Sequence, residues 1–470
     1  MRTPAYRTAN PGQIRKGGDD DHEKHWHLEP TETGNQAPAS GHPMMLAWLL
    51  HGDRTVASSR LQGYLIHEGI CRRGECALDS HLVYSPPLPY RDVPWSPSAD
   101  RLLARAMRGG VVVFQKMHGP RTERVVRELA GAGVTTVYIQ CDFEPENTIP
   151  ALCDVVVCPS QEMAEQLLAQ GARRVECIHD PAEFVWPSPA PPRRAWRELK
   201  VCWVGNGVNF HTLDPVRTIL NEEEFRDLEL VTITNHPNAD VPWSLDAVRE
   251  VVPTCDLAVV PTGDGYAYRV KSSNRVLLFM AAGIPVVAGD LKSYREVIQH
   301  GSTGMLAADP EGYRAGFRLL RDPEARSRIA RQAHEYCLEN FTLDHIIDRW
   351  ITFFASLEAS ADTGAVANRP CRHTMGVLKA HSALRLSREC WWWHHRVTYH
   401  LLREGLGLAV KHPSPLLLED LVKVPRTAAR AVKQQARTTR VVAPAYRLAR
   451  GCWHALRGLV RAGMPTRKRV

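Results

Sequence analysis

Lys271-Ser272-Ser273-Asn274-Arg275, continued by Val276-Leu277-Leu278-Phe279-Met280-Ala281-Ala282-Gly283-Ile284-Pro285-Val286-Val287-Ala288, reads as a cationic loop, a short helix, a stop and a buried strand. Ser272 or Ser273 can cap the helix start, Gly283 can take the left-handed conformation that ends it, and Pro285 cannot prolong it. The helix is therefore predicted to begin near Asn274. Free backbone N–H groups and the positive end of the helix dipole gather there, favouring an anion by about 0.3–1 kcal/mol per charge. Lys271 and Arg275 add two cations, and together with Ser272, Ser273 and Asn274 they suit a diphosphate. A solvated helix start is the plain alternative.

Outward from this stretch, the 470 residues suffice for two or three domains, and 44% hydrophobic content can supply a core for each. The first apolar run, Met44 to Leu50, is far shorter than the roughly 20 residues of a membrane span and follows an acidic, His-rich stretch, so it reads as a buried strand of a cytoplasmic protein. The 12 cysteines are scattered, and neither Cys71/Cys76 nor Cys153/Cys158 has C-x-x-C spacing. Reduced, mostly buried thiols are expected. Charge divides unevenly: residues 1–360 carry 38 Lys+Arg against 46 Asp+Glu, whereas residues 361–470 carry 21 against 5. A basic extension of that kind seeks phosphate, on lipid headgroups or nucleic acid.

The pattern along the chain predicts an α/β fold. Residues 1–40 are polar without apolar period and are expected to be a disordered arm; a metal site at His22, His25 and His27 has nothing to fix its geometry. Residues 41–185 alternate strand, loop and helix: strands at Met44–Leu50, Val111–Phe114, Val134–Ile139 and Val155–Pro159, a helix opening at Ser58-Ser59-Arg60, and another over Glu162–Gln170 closed by Gly171. Residues 186–196 hold four prolines and read as a stiff linker. A second unit, 197–342, opens with the strand Lys200–Val204 and the turn Gly205-Asn206-Gly207, and 343–360 form an amphipathic helix. Alternating strands and helices imply parallel sheets with ligands at the carboxyl ends of the strands.

The segments around the opening stretch resemble group 1 glycosyltransferases of the GT-B fold. Asp246 to Pro261 (DAVREVVPTCDLAVVP) is similar to the family's helix, its Asp before a strand and the following Pro; Tyr294 to Met305 (YREVIQHGSTGM) is similar to its E-x-I-x-x-G-x-x-G segment; Tyr138 to Asp180 is similar to the end of its first domain. The resemblance spans residues 44–357. It implies two Rossmann-like domains with parallel sheets facing a cleft, an acceptor in the first and a nucleotide-sugar in the second, a crossover helix at 343–360, retention of anomeric configuration, and neither a cofactor nor a bound metal. Two departures stand out. Asn206 and His211 occupy the neighbourhood of the family's Arg and Lys, and Val270 and Leu278 stand where its two glutamates, eight positions apart, would be. Asn274 or Asp264 is the candidate to replace the second glutamate on the donor ribose.

Gly205, Asn206 and Gly207 allow close backbone approach to phosphate at a strand end, or form a simple tight turn. On the acceptor side, Asp142 and Glu144 follow the strand ending at Ile139 and can orient a hydroxyl or act as base, while Lys116 and His118 leave the strand Val111–Phe114 toward the same edge. Ser58, Ser59 and Arg60 can bind an anion or merely cap a helix. In the basic extension, 381–406 (Leu384, Trp391, Trp392, Trp393, Leu401, Leu402) and 446–460 (Trp453, Leu456) set apolar residues among Arg and His, which fits an anionic membrane surface or a helical hairpin packed on the body. Nucleic acid is disfavoured, since no base-reading motif accompanies the arginines. The expected activity is sugar transfer from a nucleotide-sugar to a glycan or lipid-linked glycan. A catalytically silent relative serving assembly at the membrane surface is the alternative, and a sugar-nucleotide epimerase of similar fold a third reading.

Overall fold

A computed structural model describes residues 43–74, 78–186, 199–358, 372–390, 395–412, 414–417 and 419–421. The arm 1–40, most of the 186–196 linker, Trp391, Trp392, Trp393 and 446–460 fall outside these residues.

Among the described residues, twelve strands form two six-stranded sheets, parallel throughout. The first holds β1 (Met44–Leu50), β2 (Leu78–Tyr84), β3 (Val111–Gln115), β4 (Thr135–Ile139), β5 (Val155–Cys158) and β6 (Val175–Cys177), in the order β2-β1-β3-β4-β5-β6. The second holds β7 (Leu199–Gly205), β8 (Leu228–Thr234), β9 (Val241–Pro242), β10 (Leu257–Val260), β11 (Val286–Gly289) and β12 (Met305–Ala307), in the order β12-β11-β10-β7-β8-β9.

Why these strands are apolar on both sides follows from the layers that cover them. Every residue of β1 is buried. Met45, Ala47 and Leu49 face one layer with Leu103, Val125 and Leu129; Met44, Leu46, Trp48 and Leu50 face the other with Ile66 and Ile70. That second layer is completed from far along the chain: the helix Leu343–Glu358 delivers Ile346, Ile347, Trp350 and Phe354. The Trp350 and Phe354 rings lie 5.9 and 6.1 Å from Trp48. Large aromatics buried this way hold the helix Leu343–Glu358 on the first domain.

In the second domain the helix Asn274–Ala281 starts where the sequence predicts, and Gly283 follows at φ +65°. Val276 through Ala281 are all buried in one core cluster with β7, β10 and β11. The helix is thus fixed along its whole body, and only its first turn is free to meet a ligand. Asp256, just before β10, accepts from the Lys200 N–H at 2.9 Å and pins β10 beside β7.

The described part of the basic extension takes the form of a helical hairpin packed on the body. The helices Arg372–Cys390 and His395–Lys411 pack on each other around Val377, Ala380, Leu384, Leu402 and Leu406, and Met375 and Leu378 join the core of the first domain. Leu384, Leu401 and Leu402 are buried, so they have no apolar face to offer lipid. Polar ties add to the docking: Trp95 Nε1 donates to Ser382 Oγ at 2.6 Å, and Arg121 pairs with Glu389 at 2.6 Å. No helix among the described residues is long and apolar enough to cross a membrane. The eight cysteines whose side chains are described are free thiols, six of them buried.

Candidate active site

A cleft of about 620 Å³ opens at the carboxyl ends of both sheets and is lined by residues of both domains. The second-domain wall carries Gly205, Asn206, Lys271, Ser272, Asn274, Arg275 and Leu278; the first-domain wall carries Ser58, Arg60, Gln62, Cys141 and Asp142.

The start of the Asn274 helix is capped by Ser272 rather than Ser273. Ser272 Oγ accepts from the Asn274 N–H at 3.1 Å, while Ser273 sits buried at the N-cap with no side-chain cap bond. The same Ser272 hydroxyl donates to Asp180 of the first domain, whose other oxygen accepts from Gln62 Nε2 at 2.6 Å. Asp180 is buried, and burial pushes its carboxyl above the usual range against the opposing hydrogen bonds from Ser272 and Gln62. Arg275 lines the cleft, and its Nη1 is out of solvent and without a hydrogen-bond partner among the described residues. An unpartnered buried guanidinium nitrogen is costly, and an anionic ligand is what would satisfy it.

Lys271 reaches across to Asp142 Oδ1 at 3.4 Å, and Lys116 Nζ holds Asp142 Oδ2 at 2.5 Å. Burial works to raise the Asp142 pKa, but the two lysines outweigh it and bring the carboxyl down to about 2. A carboxylate so weakly basic is poorly matched to general-base work near neutral pH. Lys116 sits at φ +52°, a left-handed backbone that costs a side-chain-bearing residue energy, and this turn aims its ammonium at Asp142.

Other sequence-predicted residues are distributed unevenly. Ser59 is buried and bonded to His51 and Gln115 at 3.1 Å, which makes it structural. Arg60 opens a π-helical turn, Arg60–Tyr64, and is held bidentately by Glu183, so its charge is already answered. Glu144 is bound by Arg91 at 2.9 Å and does not line the cleft. His118 contacts Arg91 at 3.2 Å and lies away from the cleft lining, so a joint role with Asp142 as catalytic pair is not what the geometry offers. Asp264 is exposed ahead of the short helix Tyr266–Arg269 and is likewise outside the lining.

Gly205 owes its lack of a side chain to packing: a Cβ there would meet the Trp203 ring at 2.5 Å. Asn206 caps the 3-10 helix Gly207–Leu213 through the Val208 N–H at 3.1 Å, and the Gly207 N–H donates to Asn235 Oδ1 at 2.6 Å. Leu278, one turn beyond Asn274 on the same helix, presents an apolar surface to the cleft where the resemblance has a glutamate. Val270 leaves the second domain's own core and is buried in that of the first.

Sequence reasoning did not reach Asp180, Gln62, Gln115 and His51. They form a buried chain in which Gln115 Nε2 donates to Cys141 Sγ at 3.2 Å and Cys141 Sγ to Gln62 Oε1 at 2.5 Å, ending at Asp180 and Ser272. Burial keeps the Cys141 thiol neutral by pushing its pKa up, and it lowers His51 to about 4.

Two Rossmann-like domains with parallel sheets facing a cleft, closed by a crossover helix, define the GT-B class of fold. Residues 193–322, most of the second domain, match the family model of the glycosyl transferases group 1. Among solved structures, the chain is similar to a glycosyltransferase from Rickettsia africae ESF-5 (10% identity, 68% of this chain and 100% of that one, TM-score 0.49). It is also similar to HepE of Anabaena in complex with UDP and glucose (14%, 67% and 100%, 0.48) and to TarM of S. aureus (12%, 52% and 54%, 0.41). The chain thus spans about half the length of TarM. No curated protein matches the sequence.

Proposed function

We propose that this protein is a glycosyltransferase that moves a sugar from a nucleotide-sugar bound by the second domain to a glycan or lipid-linked glycan bound by the first, with retention of configuration and without a catalytic metal. The observation that carries the reading is the unpartnered Arg275 nitrogen beside the free first turn of the Asn274 helix, facing an interdomain cleft. Backbone N–H groups, Arg275 and Lys271 would hold the donor diphosphate and stabilise the charge that develops on it as the sugar leaves. Asn274 and the Asn206 loop flank the same space and are the candidates for ribose and phosphate contacts. Lys116, by neutralising Asp142, keeps a carboxylate at the acceptor wall without adding net charge. The excess of basic residues in 361–470 supports an anionic membrane surface as a partner that would bring a lipid-linked acceptor near.

The replacement of two family glutamates by Val270 and Leu278 favours the silent-relative reading, and one experiment separates the two. Purified protein is heated with UDP-, GDP-, ADP- and dTDP-sugars, and any stabilising donor is then assayed for transfer. A ligand at 100 times its Kd adds about 2.7 kcal/mol to the folded state. Stabilisation by one nucleotide, lost in Arg275→Ala and accompanied by transfer, supports the enzyme; stabilisation by none overturns it.

A further inference from the structure

Outside the cleft, β6 and a turn of the second domain bring together three side chains of different chemistry. Cys177 ends β6, His179 follows two residues on, and Glu296 follows the short helix Lys292–Arg295. One donor atom from each, the Cys177 sulfur, an imidazole nitrogen and a carboxylate oxygen, lies within 4.8 Å of the others. His179 Nε2 is 2.9 Å from Glu296 Oε2, while its Nδ1 is buried with no hydrogen-bond partner among the described residues. Glu296 is held in place from its other oxygen, which accepts from the Gln161 N–H at 3.0 Å. Cys158 stands in register beside Cys177 on β5, giving a second thiol at the edge of the cluster.

A His–Glu ion pair, with the contact between the Cys177 and Cys158 thiols, would explain the carboxylate and the sulfur but leaves the orphaned ring nitrogen and the convergence of all three groups without a role. We propose that Cys177, His179 and Glu296 bind a zinc-class divalent cation that joins the two domains beside the cleft. Sulfur, imidazole nitrogen and one carboxylate oxygen, with a fourth position for water, is a donor set for zinc, whereas magnesium and calcium select oxygen. Metal–ligand distances of about 2.0–2.3 Å place tetrahedral ligand atoms roughly 3.5 Å apart, so the cluster closes by about 1 Å through side-chain torsions. On binding, the Cys177 thiol proton is released to solvent and the sulfur ligates as thiolate. Because Cys177 and His179 belong to the first domain and Glu296 to the second, the ion would fix their relative position. Its next neighbour in sequence is Asp180, the first-domain partner of Ser272. The inference does not depend on sugar transfer.

The test uses the untagged full-length protein, stripped with chelator, passed through gel filtration and titrated with Co²⁺. A thiolate-to-cobalt charge-transfer band in the near ultraviolet that saturates at one equivalent is expected, displaced by Zn²⁺, absent in Cys177→Ser and requiring at least ten-fold more Co²⁺ in Glu296→Gln. His22, His25 and His27 of the arm carry no sulfur and cannot produce that band. Zn²⁺ is also expected to raise the Tm of the wild type and not of Cys177→Ser, with circular dichroism of the metal-free variants checking their fold. No charge-transfer band in the wild type overturns the proposal. So does a band unchanged in Cys177→Ser, and an affinity unchanged in Glu296→Gln overturns the link between domains.

Discussion

On the first-domain wall of the cleft, Arg60 is answered by Glu183 and Asp142 by Lys116; on the second-domain wall, Arg275 keeps a buried nitrogen unanswered and the Asn274 helix offers its first turn. The contrast teaches what each wall can do. A wall whose charges are mutually neutralised orients a neutral, hydroxyl-rich molecule through hydrogen bonds, whereas a wall with surplus positive potential receives an anion. Lys271 crosses between them to Asp142 at 3.4 Å, and Ser272 crosses to Asp180.

The contrast breaks most directly at Arg275. Arg275→Ala is expected to lower kcat/KM by about 10²–10³, the usual loss on deleting one charge-stabilising donor, and to abolish the nucleotide-sugar thermal shift. A variant with wild-type shift and rate would show that the donor does not use this wall. Asp142→Asn tests the opposite wall. It leaves Lys116 with a weakened partner, and unfolding in denaturant should reveal a loss of about 1–2 kcal/mol, below the range for a fully buried pair because the Asp142 side chain is 39% exposed. The same change releases Lys271, so donor KM is expected to fall or stay level; a rise in KM would mean that Asp142 itself serves the donor.

Acid sensitivity should also belong to the first domain. Burial lowers the imidazoles of His51 and His67 to about 4 from 6.5. As pH falls the unfolded chain takes up these protons first, so the stability they contribute is complete above about pH 6.5 and drains away toward pH 4. Melting curves across that window should drop in the wild type and drop less in His51→Gln. Asp142 has the same sign in a lower window: its contribution is complete above about pH 4 and lost as pH falls through 2. The smallest effect is expected at His118, which lies off the cleft: His118→Ala should leave kcat/KM within about two-fold. A larger loss would extend the acceptor wall beyond its present lining.

How much of this was legible in the sequence depended on the range of the interaction. The Asn274 helix obeys local rules, a Ser cap and a Gly at positive φ, so its bounds and free first turn could be read from adjacent residues. The central strands β1, β3, β4, β5, β7, β10 and β11 announced themselves as apolar runs because their faces are covered, whereas β2, β8 and β9, which are only partly buried, gave no such signal. The Gln62–Asp180–Ser272 contacts join residues about a hundred positions apart, and no spacing rule reports such a meeting. Asp264 lies outside the cleft lining because sequence proximity to Lys271 says nothing about direction: the helix Tyr266–Arg269 intervenes and Asp264 is exposed ahead of it. In the basic extension, an apolar stripe looks the same whether a membrane or another helix covers it, and only the packing of Leu384 with Leu402 and Leu406 shows that another helix covers these residues.

Ser272 carries one last implication. Its hydroxyl accepts from the amide that opens the Asn274 helix and, at the same time, donates to a carboxylate of the other domain. Separation of the domains therefore changes the electrostatic state of the helix start, and occupation of the helix start by an anion changes the grip between the domains. Ligand affinity and domain opening become two readings of a single linked equilibrium, and whatever factor the open state imposes on anion binding, the anion must impose in equal measure on opening.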